Sequence, residues 1–561
     1  MDKNINGLNS KEYDVVIVGS GIHGATIALE AVRAGYSVAL CERGDFGHAT
    51  SANSLKIIHG GIRYLQHGDL KRMRESIVSR RSMMRFAPHL VKPLPCLMPT
   101  YGHGIRGREM MRLAFVVYDA IACDRNKGLE RGNHLPACSA VSIDECRAIV
   151  PGIREKGLSG GAVWYDAMSD NSERLVLEYV KEAARYGAAI GNYSEVVRIE
   201  TTDSKVSAVV VRDCGDGSRM RLGCRAVVNA AGPWLHKLSA GGDASAARLW
   251  TTAVNIIVEK NLFKNYAVGL EGYTDFIDED ALIKRGKRLF FFVPWQKKFT
   301  MIGTTYKPFH GAVESFSMKR EEIAEILDDI NIIYPPAKLA MKDVTFFHGG
   351  LLPMKESHGK QTDSVQLDKS SKIIDHGLEN GVKGLYSING VKYTTAPDIA
   401  DKVIKELRKK HVLGSKSSGS YRFVSPRRAD FTAVINRLGN DLYSEIRDLL
   451  RARYGGAWRE VFAYLVADDD LGRSGTLWVS EEPPLLLAEI YYFIGEEMAV
   501  NLADVVFRRS GLASAKCPQK EVLSRIADVM GDALGWRKEE RVRQVADVVE
   551  VFSQLDPGEE K

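Results

Sequence analysis

Residues 13–42, YDVVIVGSGIHGATIALEAVRAGYSVALCE, leave this chain few folds to choose from. Residues 15–18 are an unbroken run of β-branched side chains, the pattern of a parallel strand buried on both faces. Gly19, Gly21 and Gly24 follow at the spacing G-x-G-x-x-G. Residues 25–34 have helical composition, Gly35 ends that helix, and residues 37–40 supply a second strand with Glu42 at its carboxyl end. This is a complete β-α-β unit. Gly19 permits the tight turn, Gly21 lets the backbone approach a pyrophosphate, and Gly24 lets helix and strand touch. The N–H groups at the helix start then face phosphates, while Glu42 accepts hydrogen bonds from ribose hydroxyls and disfavours a 2′-phosphate. A dinucleotide site is the expectation, and the motif by itself does not choose between FAD and a nicotinamide.

The chain has 561 residues, 45% of them apolar, which is enough for two or three domains. Its formal charge of +6 is small for that length and comes without a long basic run, so no nucleic-acid partner is expected. None of the eight cysteines forms a C-x-x-C, which argues against structural zinc and a dithiol centre and for a reducing, cytoplasmic compartment. Residues 1–12 contain no apolar core of a signal peptide. The most apolar helical stretch, residues 485–507, carries Glu489, Glu496, Glu497 and Asp504 and reads as a buried or amphipathic helix rather than a span. Peripheral attachment to the inner face of a membrane needs no such run.

Three later stretches carry chemistry. Residues 43–67 pass through small polar groups at 49–54 to the Gly60-Gly61 pair, before a helix expected over residues 69–87. A loop with adjacent glycines can run against a cofactor ring, and Arg63 can serve an anionic substrate or a flavin oxygen; a plain packing loop with a solvated arginine is the alternative. NAAGPWLHKL, residues 229–238, opens from a strand into Ala230, Ala231 and Gly232, small enough to return to the first glycine loop. GLYSINGVKYTTAPDIADKVIKEL, residues 384–407, is a short strand, a turn and a helix expected from Thr394, which aims Lys392 and backbone donors at the electron-rich edge of a flavin. Between them lie a strand at residues 160–166, a helix with Ser172 as its cap, strands at 206–211 and 226–228, an inserted sheet with strands at 289–293 and 299–304, a helix at 318–330 and a return at 340–354. A linker rich in Gly and Ser at 411–420 precedes helices expected at 430–454, 458–466, 483–507 and 530–554.

Taken together, GSGIHG with Glu42, ATSANSLKIIHGGIRYL, NAAGPW and SINGVKYTT resemble the FAD-dependent glycerol-3-phosphate dehydrogenases of bacterial and mitochondrial membranes, within the wider glycine oxidase and D-amino acid oxidase-like class. The resemblance covers essentially the whole chain. It implies an α/β fold: a Rossmann-like FAD-binding domain, an inserted antiparallel substrate or cap sheet, and a C-terminal helical domain. The boundaries expected are 1–90 and 156–247 for the first two parts of the FAD domain, 91–155 for a cap-associated segment and 248–350 for the cap. Residues 351–410 return to the FAD domain, 411–420 link, and 421–561 form the helical domain. The residues expected to hold FAD are Gly19, Gly21, Gly24, Glu42, Arg43, Thr50, Ser51, Ser54, His59, Gly60, Gly61, Val197, Ala230, Gly232, Asn389, Gly390, Lys392, Tyr393 and Thr394. Arg63 and Lys392 are expected at the substrate. The resemblance also implies a quinone or oxygen as electron acceptor, peripheral membrane contact and a homodimer; no metal is expected.

The departures from that family concern the substrate. Leu352 stands where the family has a phosphate-binding arginine, and Val254 is read at the place of a proton-accepting histidine. Losing a buried bidentate donor costs on the order of 2 to 4 kcal/mol. The expectation is therefore hydride transfer to flavin N5 from a small anionic hydroxyl or amine substrate other than glycerol 3-phosphate, with Tyr306, His310, His348 or Lys392 accepting the proton. The alternatives are a glycerol-3-phosphate dehydrogenase whose phosphate site is rebuilt around Arg63, Lys369 and Lys392, an oxygen-using oxidase, and an FAD-bearing scaffold.

Overall fold

The computed structural model describes residues 8, 12–102, 108–238, 250–277, 285–354, 368, 370–410, 431–467 and 477–553. Lys369 and the expected linker at 411–420 lie outside them. The strands are β1 (Tyr13–Val18), β2 (Val38–Cys41), β3 (Ile57–Ile58), β4 (Val91–Tyr101), β5 (Ser139–Val141), β6 (Leu158–Ser169), β7 (Ala189–Gly191), β8 (Ser194–Thr202), β9 (Lys205–Asp213), β10 (Arg219–Asn229), β11 (Trp250–Val258), β12 (Ala267–Ile277), β13 (Arg285–Trp295), β14 (Phe299–Phe309), β15 (Val344–Pro353), β16 (Lys372–Asp375) and β17 (Leu385–Asn389). The helices that matter here are α1 (Ile22–Arg33), α2 (Leu70–Phe86), α3 (Arg108–Ile121), α4 (Ile143–Ile149), α5 (Ser172–Arg185), α6 (Arg320–Ile333) and α7 (Ala396–Lys409).

β1 is buried along its whole length because it runs parallel between β2 and β10, with helices over one face. The first sheet has the order β16-β17-β10-β1-β2-β7, with β9 and β8 continuing from β10. Helices α1, α5 and α7 cover it, and their apolar stripes meet β1 and β10 in one core that includes Ile17, Ala28, Val176, Val228 and Val403. α1 begins at Ile22, three residues before the expected start, and Gly21 caps it without a side-chain acceptor.

The second sheet has the order β15-β11-β14-β13-β12-β4-β6-β3, with β5 on β6, and is antiparallel except where β12 meets β4. β6, the strand expected over 160–166, falls in a stretch assigned to the FAD domain, yet it pairs along the length of β4 in this sheet. Ile323, Leu327 and Ile330 of α6 pack with Val254, Ile256 and Ile302 on its outer face. Ser172 is not the cap of α5. Asn171 is, accepting from the Arg174 N–H at 2.7 Å, and this leaves the Ser172 hydroxyl for other bonds. α7 begins at Ala396, after the turn expected to open it.

The C-terminal region is helical, with α8 (Thr432–Leu438), α9 (Asn440–Tyr454), α10 (Trp458–Ala467), α11 (Leu487–Glu496), α12 (Lys520–Leu534) and α13 (Lys538–Ser553). The helix expected over 483–507 is instead a hairpin strand, α11, a break at Met498 with φ 56°, and a π-helical turn Asp504–Arg509. That expected over 530–554 is the end of α12 and all of α13, divided by Gly535 at φ 74°. No helix among the described residues is long and apolar enough to cross a membrane.

Candidate active site

A cavity of about 610 Å³ runs from the end of β1 to the inner face of the second sheet. At one end Gly19 sits at φ 90°, and a Cβ there would lie 2.8 Å from the Ala230 carbonyl oxygen. A Cβ on Gly24 would overlap the Gly19 carbonyl, so helix and strand touch as the motif requires. The Ile22 N–H donates to Ser51 Oγ at 2.9 Å, which joins the helix start to the 50–54 loop. The Glu42 carboxylate is buried and accepts from the N–H groups of Ser20 at 2.6 Å and Gly44 at 2.9 Å, which fixes it at the rim. Arg43 stacks 3.8 Å over the Trp234 ring, and Val197 and Gly232 complete this end.

At the other end the walls are Thr50, Ser51, Ser54 and His59, then Gly350, Leu351 and Leu352 of β15, then Asn389, Gly390, Lys392, Tyr393 and Thr394. The His59 N–H donates to Thr394 Oγ1 at 3.2 Å, binding two of these segments together. The Lys392 ammonium lies against the Tyr64 hydroxyl and 4.4 Å over its ring. Burial, then the charges of Arg72 and Arg63, lowers the Lys392 pKa to about 8. Burial, then Lys392, lowers that of His59 to about 4, so its imidazole is neutral at pH 7.

Several expected site residues lie elsewhere. Gly60 packs against the protein: a Cβ there would strike Tyr118 and the buried Arg80, and its N–H donates to Asp166 at 2.5 Å. Gly61 turns the chain at φ 76° beneath the Tyr64 ring. Neither glycine lines the cavity, and neither does Arg63, which is exposed on the following turn but close enough to act on Lys392. His310 is exposed beyond β14 and also off the cavity. His348 is buried, bonds the Ser514 carbonyl oxygen through Nε2 at 2.9 Å, and stands edge-on to Trp295, which makes it a core histidine. Tyr306 does line the cavity.

Val254 points into the core under α6, so it does not occupy a catalytic position. Its neighbours Ala253 and Asn255 face the cavity, as alternation along a strand demands, and Asn255 Oδ1 accepts from Thr304 Oγ1 at 2.8 Å. Asn255 and Thr304 are functional candidates that a reading of residue types alone passes over. Only the period-2 register of β11 pointed to the first.

The cavity fits an extended dinucleotide. It falls in the volume range of cofactor sites, about 300–1,000 Å³. One end offers glycines at backbone contact, an uncapped helix start and a ribose-facing acid. His23, half-buried on the wall with its pKa lowered by desolvation to about 4, has a buried Nε2 with no hydrogen-bond partner among the described residues. Gly19, Gly21, Glu42 and Ser51 would hold the adenosine and pyrophosphate half, and residues 389–394 with the 50–54 loop the ring half.

The family described as FAD dependent oxidoreductase matches residues 14–403, and that described as the C-terminal domain of alpha-glycerophosphate oxidase matches residues 408–541. The chain is 26% identical to the glycerol-3-phosphate dehydrogenase of Synechocystis sp., over 98% of each protein. It is 29% identical to that of Mycobacterium leprae, over 98% of this chain and 90% of that one. With the human mitochondrial enzyme it shares 29% identity over 94% of this chain and 71% of the other. The structure of the glycerol-3-phosphate dehydrogenase from Bacillus halodurans complexed with FAD has the same fold, with a TM-score of 0.72, 23% identity and coverage of 99% and 98%. The cofactor is FAD and the protein is a redox enzyme: the chain belongs to the FAD dependent oxidoreductase family.

Proposed function

We propose that the enzyme oxidises glycerol 3-phosphate as a dehydrogenase, with phosphate recognition centred on Lys392 and with Arg63 adding positive charge from outside the cavity. The observation that carries this reading is the collinear similarity to a glycerol-3-phosphate dehydrogenase over 98% of both chains. The cationic corner supports it: Arg63 and Arg72 both depress the Lys392 pKa, and a phosphate dianion placed there relieves that repulsion. Bound FAD supplies the acceptor for the hydride that leaves the substrate carbon. The neutral His59 accepts the hydroxyl proton, a task that Asn255 cannot perform because an amide has no basic nitrogen. Lys392 holds the anionic end, the Asn255–Thr304 pair bonds the polyol, and Leu352 with Trp250 and Ala253 keeps water from the reacting carbon. The electrons pass to a quinone or to oxygen; peroxide release during turnover separates the two.

One observation favours a second reading, oxidation of another small anionic alcohol or amine. The wall residue Leu352 has no charge to offer a phosphate, and Asn255, elsewhere on the same wall, is neutral. Anaerobic addition of glycerol 3-phosphate to the FAD-loaded protein tests both. Bleaching of the flavin bands is the expected result, and unchanged bands at saturating substrate, with bleaching by another anionic substrate, would transfer the assignment.

A further inference from the structure

The loop between Glu42 and Thr50 forms the cavity wall at the adenosine end through Arg43, Gly47, His48 and Ala49. At its centre Asp45 points away from the cavity into a buried cluster contributed by the C-terminal domain. Both Arg508 and Arg509 contact its carboxylate, and Arg509 Nη2 donates to Asp45 Oδ1 at 2.9 Å and to the Glu497 carbonyl oxygen at 2.6 Å. Successive residues of an ordinary helix diverge by about 100°. The π-helical turn Asp504–Arg509 reduces that divergence and lets two adjacent arginines reach one carboxylate. Asp504 balances the second arginine and accepts from Tyr193 Oη at 2.7 Å, so two carboxylates face two guanidiniums. Burial pushes the Asp45 carboxyl up, but the two guanidiniums outweigh it and hold it below the usual carboxylate range.

Asp45 also connects to the cavity through its backbone. Its carbonyl oxygen is 2.7 Å from His48 Nδ1, and that ring is 3.6 Å from Glu42 Oε1. The Gly47 N–H donates to the Ser20 carbonyl oxygen at 3.0 Å, against the glycine turn. A contact from Arg508 and Arg509 therefore reaches Glu42 and the phosphate turn through one short loop.

We infer that Asp45, Arg508 and Arg509 are positioning residues for FAD: the C-terminal domain holds the adenosine-side wall in place through this buried cluster. FAD affinity thereby depends on a domain that contributes no residue to the cavity wall among the described residues. Asp45→Asn/Arg509→Gln removes one charge of each sign and leaves Asp504 and Arg508 balanced. Its folded apoprotein should bind FAD with Kd raised about tenfold or more in a fluorescence titration. Arg509→Lys, which keeps the charge, should restore most of that affinity. Arg185→Met/Glu460→Gln neutralises a half-buried pair between the same domains, 3.0 Å apart and outside the cluster, and should lower Tm while leaving the FAD Kd in place. Equal FAD affinity in the Asp45 variant, or an equal loss in both pairs, overturns the inference. Hydrogen exchange of the wild-type protein supplies a check that needs no variant. On FAD binding, residues 43–50 and 504–510 should gain protection together, and protection confined to 43–50 refutes the coupling.

Discussion

Lys392→Met should make the FAD-free protein more stable and the loaded enzyme much slower. In the folded chain the ammonium is pushed by burial, Arg72 and Arg63 from its ordinary pKa of 10.5 to about 8. Holding it charged at pH 7 therefore costs about 3 kcal/mol. The variant loses the contact with Tyr64, about 1 kcal/mol, so a net stabilisation of about 2 kcal/mol remains. The sign reverses with pH. Between about 8 and 10.5 the unfolded chain holds more protons than the folded one, so wild-type stability rises with pH and the advantage of the variant disappears by the upper end. Urea unfolding of the two apoproteins at pH 7 and at pH 10.5 measures both statements. Anaerobic flavin reduction should fall about 100-fold or more, the loss typical of removing a positioned charge. A variant less stable than wild type at pH 7, or one that reduces its flavin at the wild-type rate, would refute the reasoning.

Three further outcomes follow from the same geometry. Leu352→Arg places a guanidinium on the substrate wall and should tighten glycerol 3-phosphate binding by tens-fold, about 2 kcal/mol, measured as the concentration giving half-maximal reduction; no gain would move the phosphate away from β15. Gly24→Ala drives a methyl group onto the Gly19 carbonyl and should yield folded protein without bound FAD, visible as a missing flavin spectrum. The rate of flavin reduction should be flat from pH 5 to 7 and fall above pH 8. The flat region reflects His59, neutral above about 4, and the fall reflects Lys392 losing its proton. An acid limb near pH 6.5 would exclude His59 as the proton acceptor.

The β-α-β unit was legible because burial on both faces demands an unbroken apolar run, and because Gly24 answers to the backbone of Gly19 in the same turn. Leu352, which the family resemblance sets on the substrate side, lines the cavity wall. Val254 faces the core while the next residue, Asn255, faces the cavity, because in a strand one residue exchanges core for cavity. His348 looked like a base because its type allows it, while its actual partner, the Ser514 carbonyl, lies 166 residues along the chain. Gly60 carried the mark of a close approach, and the groups it approaches are Tyr118 and the Arg80–Asp166 pair, distant in sequence. The Asp45 cluster had no local signature, since its arginines are 463 and 464 residues away.

The most direct test of the proposed function is an anaerobic titration of the FAD-loaded protein with glycerol 3-phosphate, followed at the flavin absorbance bands. Complete bleaching at saturating substrate is expected, with the half-point shifted to higher concentration in Lys392→Met. Retention of the oxidised bands at saturation, in a protein that bleaches with dithionite, would contradict it.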